Sequence, residues 1–322
     1  MTDPIRTLHT TQPPPHTAAA PLVRWMRRPH GAAHLIVAFP HAGGSVLSGA
    51  RLARSLPDRV GFATVALRGH DPLMSDEPDR DLNTIARQIA EEIAAIAPAC
   101  PTKLVLLGNS FGALLAFEVA RELELRPVNA HDRPDLHLVV SGFRSPSLPP
   151  SDPPLHRLPM THLRAELNER VGQIFKDLDP VASDRQDAAL RADLEMCETY
   201  RLSTPTRLHC AVTAIHLLRD VSVSAEELAA WQEVGATPIR IVALDAGHFP
   251  WLDAAPALGT LLTRLFDLRD MELRDTDLRD TDPREPDRPE TDAPLAFGDT
   301  VKPAASASLQ RTRGRFGEAP GP

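Results

Sequence analysis

LVLLGNSFGALLAF, residues 104–117, sets one hydroxyl, that of Ser110, inside a run of apolar side chains. The apolar residues before it read as a buried strand, and Phe111 to about Leu125 read as a helix. Gly108-Asn109-Ser110-Phe111-Gly112 fits Gly-x-Ser-x-Gly at that junction. The motif needs small residues because the strand-to-helix turn is sharp and strained, and glycine relieves the crowding while exposing the serine oxygen. A strand that runs straight into a helix is the context in which it marks a nucleophile. The alternative is an ordinary serine at a helix start.

Outward from this turn, strands and helices alternate. HLIVAFP (34–40), GFATVAL (61–67), KLVLLG (103–108), DLHLVVSGF (135–143), HCAVTAIHLL (209–218) and TPIRIVAL (237–244) read as strands. LNTIARQIAEEIAAIA (82–97) has apolar positions at helical spacing. Short apolar strands separated by helices predict an α/β chain with a mostly parallel central sheet covered by helices on both faces. The exception is 144–205, proline-rich at first and then polar and helical, including QDAALRADLEMCETYRL. It is expected to be a helical insertion, a lid, over the C-terminal edge of the sheet, where such folds place their sites. Residues 1–22, rich in Pro and Thr, and 268–322, where Leu-Arg-Asp recurs every five residues without helical or strand period, are expected to be disordered. The domain itself is expected over 23–267.

A net charge of −8 with no basic stripe excludes a nucleic-acid partner. The three cysteines, Cys100, Cys197 and Cys210, form no Cys-x-x-Cys, so neither a disulfide framework nor a zinc site is expected. No secretory leader and no membrane-length apolar run is read, so the expectation is a cytoplasmic protein with no membrane association, monomeric by preference, needing no metal or organic cofactor.

A serine hydroxyl is a weak nucleophile at neutral pH and needs a base, itself oriented by a third group. His248 in LDAGHFPWLD lies on a loop after the last predicted strand, at the same sheet edge as Ser110. His34 and His209, beside strands, are read as packing or surface residues. The acid is expected after the preceding strand, where Asp220 stands at the strand end. Glu226 and Glu227 fall in a helix start behind Ser224, a capping arrangement, and Asp245 is too close in sequence to His248 to reach across. The oxyanion donors are expected to be the backbone N–H of Phe111 and one from the loop FPHAGGS (39–45), that of Ala42. A Gly-rich phosphate loop is not indicated, since neither Gly-x-Gly-x-x-Gly nor Gly-Lys-Ser occurs there.

With FPHAGGS, GNSFGA and DAGHF in this order, and VSVSAEELAAW after the acid, the chain resembles type II thioesterases, α/β-hydrolases that serve polyketide and non-ribosomal peptide synthases. The resemblance covers roughly residues 23–267. It implies hydrolysis of an acyl thioester on the phosphopantetheine arm of an acyl or peptidyl carrier protein, editing or releasing the acyl group. Arg164, Arg170, Arg185 and Arg191 are candidates for a basic patch toward an acidic carrier. Family members usually carry His where Asn109 stands, Pro-Gly-Arg where Arg68-Gly69-His70 stands, and Gly-Gly-Asp where His216-Leu217-Leu218 stands. The same triad also serves an acyltransferase or a small-ester hydrolase, and a non-catalytic carrier-binding module is the alternative of another class.

Overall fold

Every side chain from Leu35 to Phe39 is buried, and consecutive ones enter opposite cores: Leu35, Val37 and Phe39 one, Ile36 and Ala38 the other. This is the period-two pattern of a strand covered on both faces. The computed structural model describes residues 20–28, 34–70, 76–96, 103–127, 135–172 and 184–265. Its strands are β1 (Val23–Arg27), β2 (His34–Phe39), β3 (Val60–Val65), β4 (Lys103–Asn109), β5 (Asp135–Ser141), β6 (Ala211–Leu217) and β7 (Arg240–Leu244). They form one seven-stranded sheet in the order β1-β3-β2-β4-β5-β6-β7, parallel except that β1 runs antiparallel to β3.

Helices α2 (Leu82–Ile96) and α3 (Phe111–Leu125) cover one face. Helices α1 (Ala50–Ser55), α7 (Pro250–Asp253) and α8, over 255–265, cover the other. Helix α2 starts on Asp81, whose carboxylate accepts from the amides of Asn83 and Thr84, the bonds an N-cap supplies. Between β5 and β6 the chain forms α4 (Met160–Val171) and α5 (Asp184–Thr199). Leu155, Leu163 and Leu167 pack there with Leu190 and Leu194 in a small core of their own, against which Ala42 also packs. Helix α6 (Ala225–Ala229) opens on a capping box between Ser224 and Glu227, as the sequence predicts.

Strand ends differ from the sequence reading by up to three residues, and three of these differences have a local cause. β6 starts at Ala211 because the amides of His209 and Cys210 donate to the Glu124 carboxylate instead of a neighbouring strand. β7 starts at Arg240 because Pro238 has no N–H and Ile239 donates to the Gln232 side chain. β5 stops at Ser141 because Gly142 takes φ +62°. Strand β1 went unpredicted: VRWMR alternates weakly, as an edge strand does, and it is anchored where Leu22 and Val23 donate to the Glu92 carboxylate on α2. Disorder is expected over 1–22 and 268–322; residues 1–19 and 266–322 lie outside the described residues, as do 173–183 of the insertion, whereas Leu22 is buried and bonded to Glu92, so the ordered chain starts earlier than expected.

Candidate active site

The chain leaves β2 toward β3 on one side, and the next strand, β4, lies on the other. The loops after β2 and β4 therefore diverge at their C-terminal ends and leave a crevice, the place where open parallel sheets bind ligands. Ser110 follows β4 there, and the loop from Pro40 to Ser45 follows β2.

Ser110 has φ +56° and ψ −127°, the one positive φ at a non-glycine among the described residues. A residue with a Cβ occupies that region only under strain held by its surroundings. The strain is held on both sides: the Ser110 amide extends the ladder by donating to Ser141 O at 2.9 Å, and α3 begins at the next residue. Gly108 and Gly112 are required by contact. A Cβ on Gly112 would lie 1.9 Å from Phe39 O, and one on Gly108 would lie 2.3 Å from Gly112 O. The Ser110 side chain is half-buried at the crevice.

His248 follows β7, and Asp220 follows β6. The two loops are tied together by Leu218 N donating to Leu244 O and Arg219 N to Ala246 O, both at 3.0 Å. This brings His248 Nδ1 to 2.8 Å from Asp220 Oδ2, with both side chains buried. Burial opposes ionisation of Asp220, but the hydrogen bond and charge of His248, with two hydrogen bonds from Ser222, outweigh it and hold the carboxyl below its ordinary value. Ser222 had not been read from the sequence. Its hydroxyl donates to Asp220 Oδ1 at 2.6 Å and lies 3.0 Å from His248 Nδ1. The Asp-x-Ser spacing was the available signal, since a serine two residues on from an aspartate closes a short local turn.

Asn109, which the sequence marks only as a departure from the family's histidine, has a structural role. It is buried, donates from Nδ2 to His248 O at 3.1 Å, and accepts from Ser141 Oγ at 2.7 Å. The residue before Ser110 thus fastens the histidine loop to β4. No hydrogen bond joins Ser110 Oγ to His248 among the described residues; such contacts in substrate-free sites often tighten only when substrate binds. The rival residues fall elsewhere. Asp245 is exposed and pairs with Arg219, and His209 is exposed.

In the loop after β2, Gly44 N donates to His41 O at 2.8 Å, closing a turn with Gly43 at φ +70°. Gly43 N donates to Asp193 on α5. The amides of His41 and Ala42 lie between Pro40 and these engaged donors, and the Phe111 amide, first in α3, has no acceptor within its helix. His41 packs edge-on against Phe249 at 4.6 Å, and Phe249 packs against His248 at 4.8 Å. Burial, then the charges of His248 and His70, push His41 down to about 3, so it stays neutral.

A family model described as "Thioesterase domain" matches residues 34–265. The chain belongs to the thioesterase family. Thioesterase PikA5 of Streptomyces venezuelae is 32% identical over 230 residues, 70% of this chain and 79% of that one. Among solved structures, the RedJ thioesterase from the prodiginine biosynthetic pathway of Streptomyces coelicolor aligns with TM-score 0.64 and 30% identity, covering 78% of this chain and 90% of its own. The type II thioesterase BorB from the borrelidin biosynthetic cluster aligns with TM-score 0.65 and 29% identity, over 76% and 96% of the two chains. The seven-stranded, mostly parallel sheet is therefore that of an α/β-hydrolase.

A cleft of about 370 Å³ opens in this thioesterase beside the His248–Asp220 pair, walled by Val221, Phe249 and the end of α4 at Arg170 and Val171. The arginines considered for a basic patch, Arg185 included, are engaged within the chain. Arg164 pairs with Asp187, Arg170 with Asp152, and Arg191 donates to the carbonyls of His156 and Leu158. Among the described residues, no three His, Cys, Asp or Glu side chains converge as metal ligands, and no helix is long and apolar enough to cross a membrane.

Proposed function

We propose that Ser110, His248 and Asp220 form the catalytic triad of a serine thioesterase that hydrolyses acyl groups from the phosphopantetheine arm of carrier proteins. The observation that carries the reading is the backbone of Ser110: a strained, non-glycine φ of +56° held at the sheet's switch point. Strain of this kind persists where the surrounding structure fixes it, and it points the hydroxyl away from both strand and helix.

Asp220, kept ionised, accepts from His248 Nδ1, which leaves Nε2 as the basic nitrogen. Nε2 takes the Ser110 proton as Oγ bonds to the thioester carbonyl carbon. The amides of Ala42 and Phe111 receive the oxyanion, a contribution of about 2.7–4 kcal/mol per donor. Collapse breaks the C–S bond, and the proton on His248 goes to the departing sulfur, whose ordinary thiol pKa of about 8.5 makes it a better leaving group than an alkoxide. Water, giving its proton to His248, then attacks the acyl-serine carbonyl carbon; the C–Oγ bond breaks and that proton passes from His248 to Ser110 Oγ, which frees the acid. The matched stretch, 34–265, supports a catalytic domain over 23–267, with the insertion over 144–205 serving as a lid. The biosynthetic origin of RedJ and BorB supports a carrier-protein substrate.

The test is hydrolysis of an acyl-phosphopantetheine carrier protein followed by intact mass, wild type beside Ser110→Ala. Wild type is expected to shed the acyl mass, and the variant to be slower by at least about 1,000-fold. Equal cleavage by both proteins would remove Ser110 from the mechanism.

A further inference from the structure

Asp193 lies midway along α5 with its side chain 1% exposed, deeper than a carboxylate usually sits. One oxygen, Oδ2, accepts two hydrogen bonds from segments far away in sequence: Gly43 N at 2.8 Å and His70 Nε2 at 2.7 Å. The other oxygen, Oδ1, has no hydrogen-bond partner among the described residues. His70 is buried too, and its Nδ1 lies 3.1 Å from Arg68 O. A carbonyl only accepts, and so does an ionised carboxylate. Both ring nitrogens of His70 therefore find full partners only when both carry protons, as an imidazolium against an aspartate.

This pair meets the oxyanion loop at its tightest point. Gly43 is the third residue of the turn that His41 O closes with Gly44 N, and its amide direction is set by Asp193. Leu190, one helical turn before Asp193, packs on the same glycine, 3.3 Å from where a Cβ would stand. Ala42, next in the chain, packs against the leucines of α4 and α5.

We propose that Asp193, paired with His70, is a positioning residue that holds the loop after β2 in its donor-presenting shape, so that seating of α5 and formation of the oxyanion site are one event. The inference rests on the reading of Ala42 as an oxyanion donor. The charged groups facing His70 are Asp193 from α5 and Asp79, ahead of α2, with His41 near it on the oxyanion loop. Asp79 is itself bound to Arg68. Burial opposes the charge on His70, but Asp193, the Arg68 carbonyl and Asp79 outweigh it and raise His70 above 6.5. The pair is thus intact below 6.5 and is lost as pH rises through the raised value.

The experiment measures kcat and KM against pH for a short-chain acyl thioester of N-acetylcysteamine, using wild type, Ser110→Ala, Asp193→Asn and His70→Gln, each checked for cooperative melting. Displacing catalytic groups by about 1 Å can cost roughly 100-fold. Asp193→Asn is expected to lose about 10- to 100-fold in kcat with KM within about twofold. In wild type kcat falls on the alkaline side, and in both variants that limb disappears because the titrating pair is gone. A folded variant of either kind that keeps the wild-type kcat and alkaline limb overturns the positioning role while leaving the triad standing. If Asp193→Asn does not fold, His70→Gln decides on the same two readouts. Activity in Ser110→Ala equal to wild type would overturn both readings.

Discussion

At the scale of single residues, the site depends on side chains that do no chemistry. Asn109 holds the carbonyl of His248, and Ser222 fills the second oxygen of Asp220. Asn109→Ala would take the amide donor from the His248 carbonyl and leave the buried Ser141 hydroxyl only a long contact of 3.5 Å to Gly108 O. A buried polar group left unpaired costs about 1–3 kcal/mol. The expected result is a loss of that size in urea unfolding, with kcat reduced and KM nearly unchanged, because the histidine loop loosens while the substrate cleft stays. Asn109 stands where relatives usually carry histidine, and the sequence reading treated the change as mild because the side chain lies outside the triad. The structure shows that it is bonded to a triad candidate through the backbone, a link that no sequence spacing encodes.

At the scale of elements, the decisive contact is α3 against β2. Gly112 is a helical residue, and in an open helix Gly→Ala gains about 1 kcal/mol. Here the added methyl would sit 1.9 Å from Phe39 O, so the helix would have to lift off the strand. Gly112→Ala is expected to lose about 3 kcal/mol or more, read as a fall in melting temperature or as insoluble protein. The strand–turn–helix of residues 103–125 was legible because its signals are local: an unbroken apolar run, two glycines at fixed spacing, then helical periodicity. Six of the seven strands were legible for the same reason. β1 was not, since an edge strand with two arginines in five residues has too little apolar alternation to stand out. Asp193 carried a readable signal that was missed. It falls four residues after Ala189 and four before Cys197, on the buried stripe of α5, where a charge needs a partner. Which partner it would find, His70, is set by tertiary packing.

At the scale of the whole molecule, buried titratable groups set how the fold responds to acid. His137 on β5 bonds Thr213 through Nε2 at 2.8 Å, and burial, with the charge of Lys103, lowers it to about 4. Its unfolded value is near 6.5, so between these values the unfolded chain binds more protons and stability falls as pH falls. The share is ~3 kcal/mol for a shift of this size. Asp220 adds a loss at lower pH, as pH falls through its depressed value, whereas the His70 contribution is present below 6.5 and is lost as pH rises through its raised value. Urea midpoints measured from pH 7 to 4 are expected to drop steadily for wild type and less steeply for His137→Gln.

The hydrogen bonds that shape the two halves of the site differ in reach. Those of the Ser110 turn join β4 to its neighbour β5 and to the helix that follows. The one that shapes the loop after β2 spans 150 residues, from Gly43 to Asp193. Closing so long a stretch of chain carries the larger entropy cost and is slow to occur. In a refolding chain the nucleophile turn is therefore expected to form ahead of the two long-range closures, Gly43 on Asp193 and Asn109 on His248. A nascent chain that has made only the turn is expected to remain inert until both are in place.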